Sequence, residues 1–451
     1  MEWYNFEHER MFQKSGSLGK WRDVNFWNDP SGLMKRTNMH FYLYVFVLLL
    51  GSTVVGTIHA AELDVGLLTI DIHGFASQGY LQSDHNNFLA ETEEGTFDFR
   101  EYGVNASTAL TDQFRVGLQL FGRKFGHYGD DKIILDWGYA DFRLQDWLGV
   151  RAGRMKIALG LYNETRDIDI VRTSMFLPES IYNDAWRETV TALNGGEVYG
   201  SFSGEKFGTL SYQGQVGEIT IEPDGGMAEY LNEFVPMDIQ KLETSILYNA
   251  GIEWVPAPPL DGVRLRWTWN SCEIDAEAVT DVGPLWIRQG VPPGVPLSYH
   301  AELNVMTLSA EITWGDLVLA AETLTPDNYA NSLTSPILGT VFDDEPDKVG
   351  YYASAAYSLT NWFELGVAYS EFYNNADDKD GERLNLLHGY PKYNAWLKDT
   401  TVTARFDIRE AWVLKLEGHF MNGTDIMLTV DNPDGTEEDW MLFGAKVTYN
   451  F

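Results

Sequence analysis

Five arginines and a short run of carboxylates set the chemistry open to this chain. Arg100, Arg115, Arg123, Arg143 and Arg151 recur at intervals of 8 to 20 residues, and Glu164, Arg166, Asp167, Asp169 and Glu179 follow within one stretch. Twelve of the basic residues fall between Arg100 and Arg187. With no paired nucleophile and base among them, these groups act through charge alone. If the arginines line one wall of a cavity and the carboxylates face them, the field between them orients water and dipolar solutes and hinders apolar ones. Buried charges of one sign are costly without partners, so the two sets should support each other. The competing reading is that the arginines neutralise neighbouring carboxylates and set no selectivity.

The elements that must hold these groups are strands. Apolar and polar residues alternate with period two over segments long enough to cross a bilayer at a tilt, about 9–11 residues. Phe114, Val116, Leu118 and Leu120 alternate with Arg115, Gly117 and Gln119, and Val263, Leu265, Trp267 and Trp269 with Arg264, Arg266, Thr268 and Asn270. Phe363, Leu365, Val367 and Tyr369 alternate with Glu364, Gly366 and Ser370, and Trp412, Leu414 and Leu416 with Lys415 and Glu417. Strands are expected at 67–82, 96–110, 113–125, 132–144, 148–158, 195–204, 207–220, 242–255, 262–272, 300–313, 316–324, 348–360, 362–374, 399–407, 411–421 and 439–451. That is about sixteen, an even number as single-chain transmembrane barrels require. An arginine facing lipid costs about 2–4 kcal/mol at the midplane, so the polar set, with Arg100, Arg115, Arg123, Arg143 and Arg151, is assigned to the lumen. A soluble sandwich or propeller also alternates, with its apolar face turned inward.

The connections sort into two kinds. Residues 110–113, 144–147, 314–316 and 359–362 are short, whereas 273–299, 325–347, 375–398 and 422–438 are long and rich in Asp, Asn, Pro and Gly. The short ones are expected at the periplasmic end and the long ones outside. Residues 159–194 are unlike the rest, because they carry Ile168, Ile170, Val171, Met175, Phe176, Leu177 and Ile181. A long segment this apolar should not lie free in water, so it is expected to fold into the barrel and narrow it. The other possibility is an external lid packed on the rim or on a neighbouring subunit.

Composition and the chain ends agree with this class. Met34-Lys35-Arg36, an apolar run from Phe41 to Val55 and small residues at Ala60 and Ala61 have the form of a signal peptide spanning 34–60, with 1–33 a misassigned upstream extension and the barrel at 61–451. The run is shorter than the about 20 residues of a spanning helix. With 32 Lys/Arg against 66 Asp/Glu and a formal net charge of -34, the chain is a poor nucleic-acid binder. Its single cysteine, Cys272, excludes a disulfide framework. The last strand, Met441 to Phe451, ends on an aromatic residue and resembles the C-terminal signature of bacterial outer-membrane barrels.

Residues 136–182, with LDWGYADFRL, LGVRAGRMKIALGLYNETRDIDIVR and FLPESIY, resemble the bacterial outer-membrane porin superfamily, in particular its phosphate-selective porin-like branch. HGFASQGYLQSDHNNF at 73–88 is similar to the first strand of that family. The resemblance implies a sixteen-stranded barrel, a third loop entering the lumen and a homotrimer. It carries roles at the start of the inserted loop to Gly153, Lys156, Gly160, Tyr162, Asn163, Glu164, Arg166 and Asp167. The chain departs from the pattern at Ala158, where relatives commonly have proline, and lacks a lysine-rich lumen.

Enzyme chemistry finds no support. There is no Gly-x-Ser-x-Gly, His-Glu-x-x-His or phosphate loop, and the calcium-loop patterns at 376–381 and 430–435 each lack their first aspartate. His73, His127 and His419 have no serine and carboxylate beside them in sequence and are read as solvated. No catalytic residue, metal or cofactor is expected. Two classes remain: a passive outer-membrane channel for ions and small hydrophilic solutes, with lipid as its surroundings, and a structural or binding barrel whose pore is plugged.

Overall fold

The structure, a computed structural model, describes residues 61–65, 68–126, 129–221, 225–325, 330–428 and 431–451. The upstream extension at 1–33 and the signal peptide at 34–60 lie outside the described residues. Sixteen strands follow one another around a closed antiparallel sheet. They are β1 Leu68–Ser83, β2 Phe99–Ala109, β3 Phe114–Phe125, β4 Ile134–Gln145, β5 Leu148–Lys156, β6 Ala192–Gly204, β7 Gly208–Glu218 and β8 Leu247–Val255. The second half comprises β9 Val263–Thr280, β10 Pro296–Trp314, β11 Leu317–Thr325, β12 Val349–Thr360, β13 Phe363–Tyr373, β14 Trp396–Arg409, β15 Trp412–Gly423 and β16 Asp439–Asn450. Each strand pairs with the next, and β16 closes on β1 from Phe75 opposite Asn450 to Ser83 opposite Leu442.

Exposure decides which face turns inward. On β3, Leu118 and Leu120 are 44% and 46% exposed while Gln119 between them is 4% exposed. A soluble sandwich would show the reverse; an apolar belt turned outward is a surface made for lipid. Exposed Trp147, Trp254, Trp314 and Trp362 ring the end of the short turns, and Tyr248, Tyr351, Tyr369 and Phe420 stand on the outer face toward the end of the long connections, as aromatic girdles do.

One inward assignment is wrong. Arg100 lies on the outer side of β2 with Tyr102 and Val104, because its neighbour Glu101 takes the inward position and meets Lys446 of β16 at 2.6 Å. Arg100 instead pairs with Asp131 in the connection to β4 and with Asp98 at 3.7 Å. It is the second residue of the strand, beyond the apolar belt, where an outward charge stays hydrated and costs little.

Seven connections, 110–113, 146–147, 205–207, 256–262, 315–316, 361–362 and 410–411, are short and lie at one end. The long ones lie at the other. Two of these are more ordered than expected. β9 continues past residue 272 to Thr280 and β10 starts at Pro296, because alternation persists with Ile274, Ala276 and Ala278 buried and Glu273, Asp275 and Glu277 outward. Strand Met237–Thr244 pairs with this extension of β9, Ala330–Ser335 pairs with β10, and Gly339–Asp344 pairs in turn with Ala330–Ser335. Their inner face packs Ile274, Leu297, Leu333, Trp286 and Leu231 into one apolar cluster that also buries Cys272.

The seam between β1 and β16 carries its own clasp. Asn86 donates to the Glu437 carbonyl and accepts the Glu437 N–H, at 2.8 and 2.7 Å. Asn432 accepts the Asn87 N–H at 2.7 Å and donates to the Asn87 carbonyl at 3.0 Å. Asn432→Ala leaves both backbone groups unmatched in a partly buried setting, so it is expected to cost roughly 1–3 kcal/mol. Unfolding in detergent micelles followed by tryptophan fluorescence measures it; a change within error would mean that water replaces the amide.

Candidate pore site

Residues 157–191 join β5 to β6 and run between opposite walls. Gly160 starts the crossing in the left-handed region, with φ of 55°, which a side chain rarely adopts. A Cβ there would also meet Tyr182 and Glu322. Its N–H donates to the hydroxyls of Thr268 and Thr307 on β9 and β10, at 3.1 and 3.2 Å, and the next N–H, of Leu161, donates to Glu322 of β11 at 2.8 Å. The Tyr162 hydroxyl donates to Glu311 at 2.6 Å.

Apolar residues account for the rest of the path. Leu161, Ile181 and Tyr182 pack on Ala320, Leu324 and Tyr352 of β11 and β12. Phe176 stacks on Phe99 and Phe125, with ring centroids 5.1 and 5.8 Å apart. Backbone also approaches backbone: a Cβ on Gly350 of β12 would lie 2.1 Å from the Ser180 carbonyl oxygen. Between these anchors the segment forms short turns at Asn163–Thr165 and Asp169–Val171 and single helical turns at Glu179–Tyr182 and Arg187–Val190.

The carboxylates of residues 157–191 meet cations directly. Asp169 takes the ammonium groups of Lys415 on β15 and Lys446 on β16, at 2.9 and 3.3 Å, and the Thr448 hydroxyl at 2.7 Å. Asp167 joins Lys156 at 2.6 Å and also pairs with Arg187. Glu164 pairs with Arg266 of β9. Glu179 does not face the wall arginines; it accepts the Asp184 N–H at 3.0 Å within the segment. Arg166 stays within the segment too, donating to Asp184, Asn163 and the Tyr182 carbonyl.

Electrostatics follow from these neighbours. Burial opposes ionisation of Asp169, yet Lys415, Lys446 and Arg172 outweigh it and hold the carboxyl far below the ordinary range. Burial likewise opposes ionisation of Asp167 and Asp184, and the surrounding cations win, Arg187 and Lys156 at the first and Arg123 and Arg166 at the second. Burial pulls the Arg166 guanidinium down to about 10. Glu179 goes the other way, raised by burial and by the nearby Asp184.

Among the expected wall arginines, Arg123 is bonded to the segment, through Asp184 at 3.0 Å. Arg151 pairs instead with wall carboxylates Asp141 and Glu197, at 3.3 and 3.0 Å, and lies over the Tyr199 ring at 4.0 Å. Arg115, opposite Asp141 across the ladder, is exposed near the short-turn end, and Arg143 lies two residues beyond Asp141 on the same face. The basic wall facing an acidic loop therefore resolves into separate ion pairs, with Lys415, Lys446 and Arg266 as the partners that matter. Their signal was the inward parity of those strands. His419 is also not solvated. It is buried between Asp399, 2.8 Å from Nδ1, and Glu417, 3.1 Å from Nε2, and Glu417 in turn accepts the N–H groups of Met175 and Phe176.

With this arrangement in place, similarity to solved structures becomes informative. Salmonella typhi OmpF, solved with daunomycin, superposes with a TM-score of 0.53 over 87% of this chain and 100% of its own, at 10% identity. The outer membrane channel DcaP of Acinetobacter baumannii gives 0.51 over the same shares, also at 10% identity. OmpT, an outer membrane protein of Vibrio cholerae, gives 0.50 over 87% and 100%, at 11% identity. The fold is that of the bacterial outer-membrane porins. No family model and no curated protein matches the sequence.

Proposed function

We propose that the protein is an outer-membrane diffusion channel for ions and small hydrophilic solutes in which residues 157–191 set a narrow aperture. The observation that carries this reading is that a charged, hydrogen-bonded segment enters a barrel whose outer face is apolar and whose inner face is polar. A barrel built only as a scaffold has no need of so many ionised groups on its inner wall, each costly to desolvate. Preference for phosphate, which the resemblance to the phosphate-selective branch would suggest, finds little support in the chemistry, because Lys156, Lys415 and Lys446 are each engaged by carboxylates. Trimeric assembly belongs to the same reading, and migration on a gel before and after heating tests it.

A plugged barrel is the second reading, favoured by one observation. Thr268 and Thr307 on one side and Lys415 and Thr448 on another are all fully buried beneath the segment. Reconstitution into planar bilayers separates the two: the channel reading expects stepwise currents, smaller than those of a barrel without the segment, whereas a plug gives none.

A further inference from the structure

Among the described residues, three acceptor oxygens on the inward face of β7 and β8 have no hydrogen-bond partner: Gln215 Oε1, Asn249 Oδ1 and Glu253 Oε1. Gln215 and Asn249 stand opposite each other across the ladder, and Glu253 lies four residues further along β8 on the same face, toward the short-turn end. All three side chains are more than nine-tenths buried, Glu253 at 6% exposure. The amide orientations are fixed by what the nitrogens do. Gln215 Nε2 donates to the Lys156 carbonyl and to Glu197, at 2.8 and 2.9 Å, and Asn249 Nδ2 to the Ala158 carbonyl and Asn270 Oδ1, at 2.7 and 2.8 Å. Turning either amide over would set its oxygen against these acceptors.

Arg266 is the cross-strand neighbour of Glu253; its guanidinium pairs with Glu164 on the segment 157–191, and with Arg264 it lies near enough to offset part of the Glu253 charge without supplying a hydrogen bond. A buried carboxylate without a matched donor is unfavourable unless a cation visits it or a proton neutralises it. The two amide oxygens further along the same wall carry the same sign of partial charge, and hard oxygen donors suit alkali cations and primary ammonium groups.

We propose that Glu253 is a specificity-determining residue of the pore, the charged step of a path for small monovalent cations along the β7–β8 wall that Gln215 and Asn249 extend. This rests on the channel reading above and names the class of solute that it favours. The path is distinct from the loop carboxylates, whose charges are spent on Lys156, Arg187, Arg266, Lys415 and Lys446.

The test is the reversal potential of the full-length mature protein in planar bilayers under a gradient of potassium chloride, repeated with methylammonium chloride. Glu253→Gln, which keeps shape and removes charge, is expected to lower cation over chloride permeability by about threefold or more, as loss of a fixed charge at a narrow point does. Glu253→Asp should retain most of the preference. Asp407→Asn removes an equal charge from the inward face of β14, where Asp407 is paired with Arg405 at 3.0 Å, and should change the ratio far less. A response to potassium alone assigns the path to bare ions, and a response to both salts extends it to ammonium-bearing solutes. If the parent protein conducts and Glu253→Gln is unchanged, or Asp407→Asn has an equal effect, the inference fails while the channel reading stands. If the parent protein gives no current, both fail. Heat-modified migration on a gel shows that each variant has folded.

Discussion

Replacing Asp169 by alanine is expected to be among the most damaging single changes to this barrel, at about 3–5 kcal/mol, the usual cost of stripping one partner from a buried ion pair. Asp169 holds two lysines from adjacent strands and a threonine hydroxyl at once. Without it, Lys415, at 0% exposure, keeps the backbone carbonyls of residue 169 and Ser174, while Lys446 keeps Glu101 at 2.6 Å. The unequal outcome for the two lysines is itself informative. Lys415→Met, which removes the charge with the chain length, should restore part of the loss in the double variant, because an apolar replacement of a buried pair is often tolerated. Equilibrium unfolding in micelles measures both. A loss under about 1 kcal/mol for Asp169→Ala would contradict the account, since it would imply that water reaches the lysines.

Acidification gives the second large effect, and its direction follows from the loop carboxylates. Asp167, Asp169 and Asp184 are all held below their ordinary range in the folded protein. A carboxyl with a depressed folded pKa contributes stability that is fully present above its unfolded value, about 3.9, and is lost as pH falls through the folded value. Glu179 is raised, so its contribution is complete at low pH and declines as pH rises through its unfolded value and up to the folded one. Three groups against one leave the segment more firmly held at neutral pH than in strong acid. Hydrogen exchange of residues 157–191 should therefore not accelerate from neutral pH down to about 4, where Glu179 tightens the segment, and should accelerate, beyond the intrinsic pH dependence of exchange, only below that. Release already between about pH 6 and 5 would show that groups titrating near neutrality, rather than these aspartates, hold the segment.

Much of this architecture was legible because a barrel wall obeys one local rule. Period-two alternation located all sixteen strands, and inward parity placed Lys415 and Glu417 on the lumen side, where they are found. The rule fails where the cost of breaking it vanishes. Arg100 lies at a strand end outside the apolar belt, so nothing forces it inward. The extension of β9 and β10 was hidden for the opposite reason: Glu273, Asp275 and Glu277 made a strand look like a polar loop, although Ile274, Ala276 and Ala278 preserved the period.

The site was less legible than the wall. That residues 159–194 should not lie free in water could be inferred from their apolar content, but their partners lie far off in sequence, as with Asp169 and Lys415, 246 positions apart. Pairing at that distance is set by how the strands close into a ring, which no local pattern encodes. His419 illustrates the same limit. Beside it in sequence is one carboxylate, Glu417; the second, Asp399, arrives from the neighbouring strand and makes the histidine a buried, hydrogen-bonded link beneath Met175 and Phe176.

The central claim is that residues 157–191 set the aperture of an otherwise open barrel. Its most direct test is the single-channel conductance in planar bilayers of the parent protein beside a variant in which residues 161–188 are replaced by a short glycine–serine connection. The account predicts small, discrete steps for the parent and steps several times larger for the shortened variant, since the narrowest section governs ion flow. Equal conductance in the two, with both shown to be folded, would contradict it.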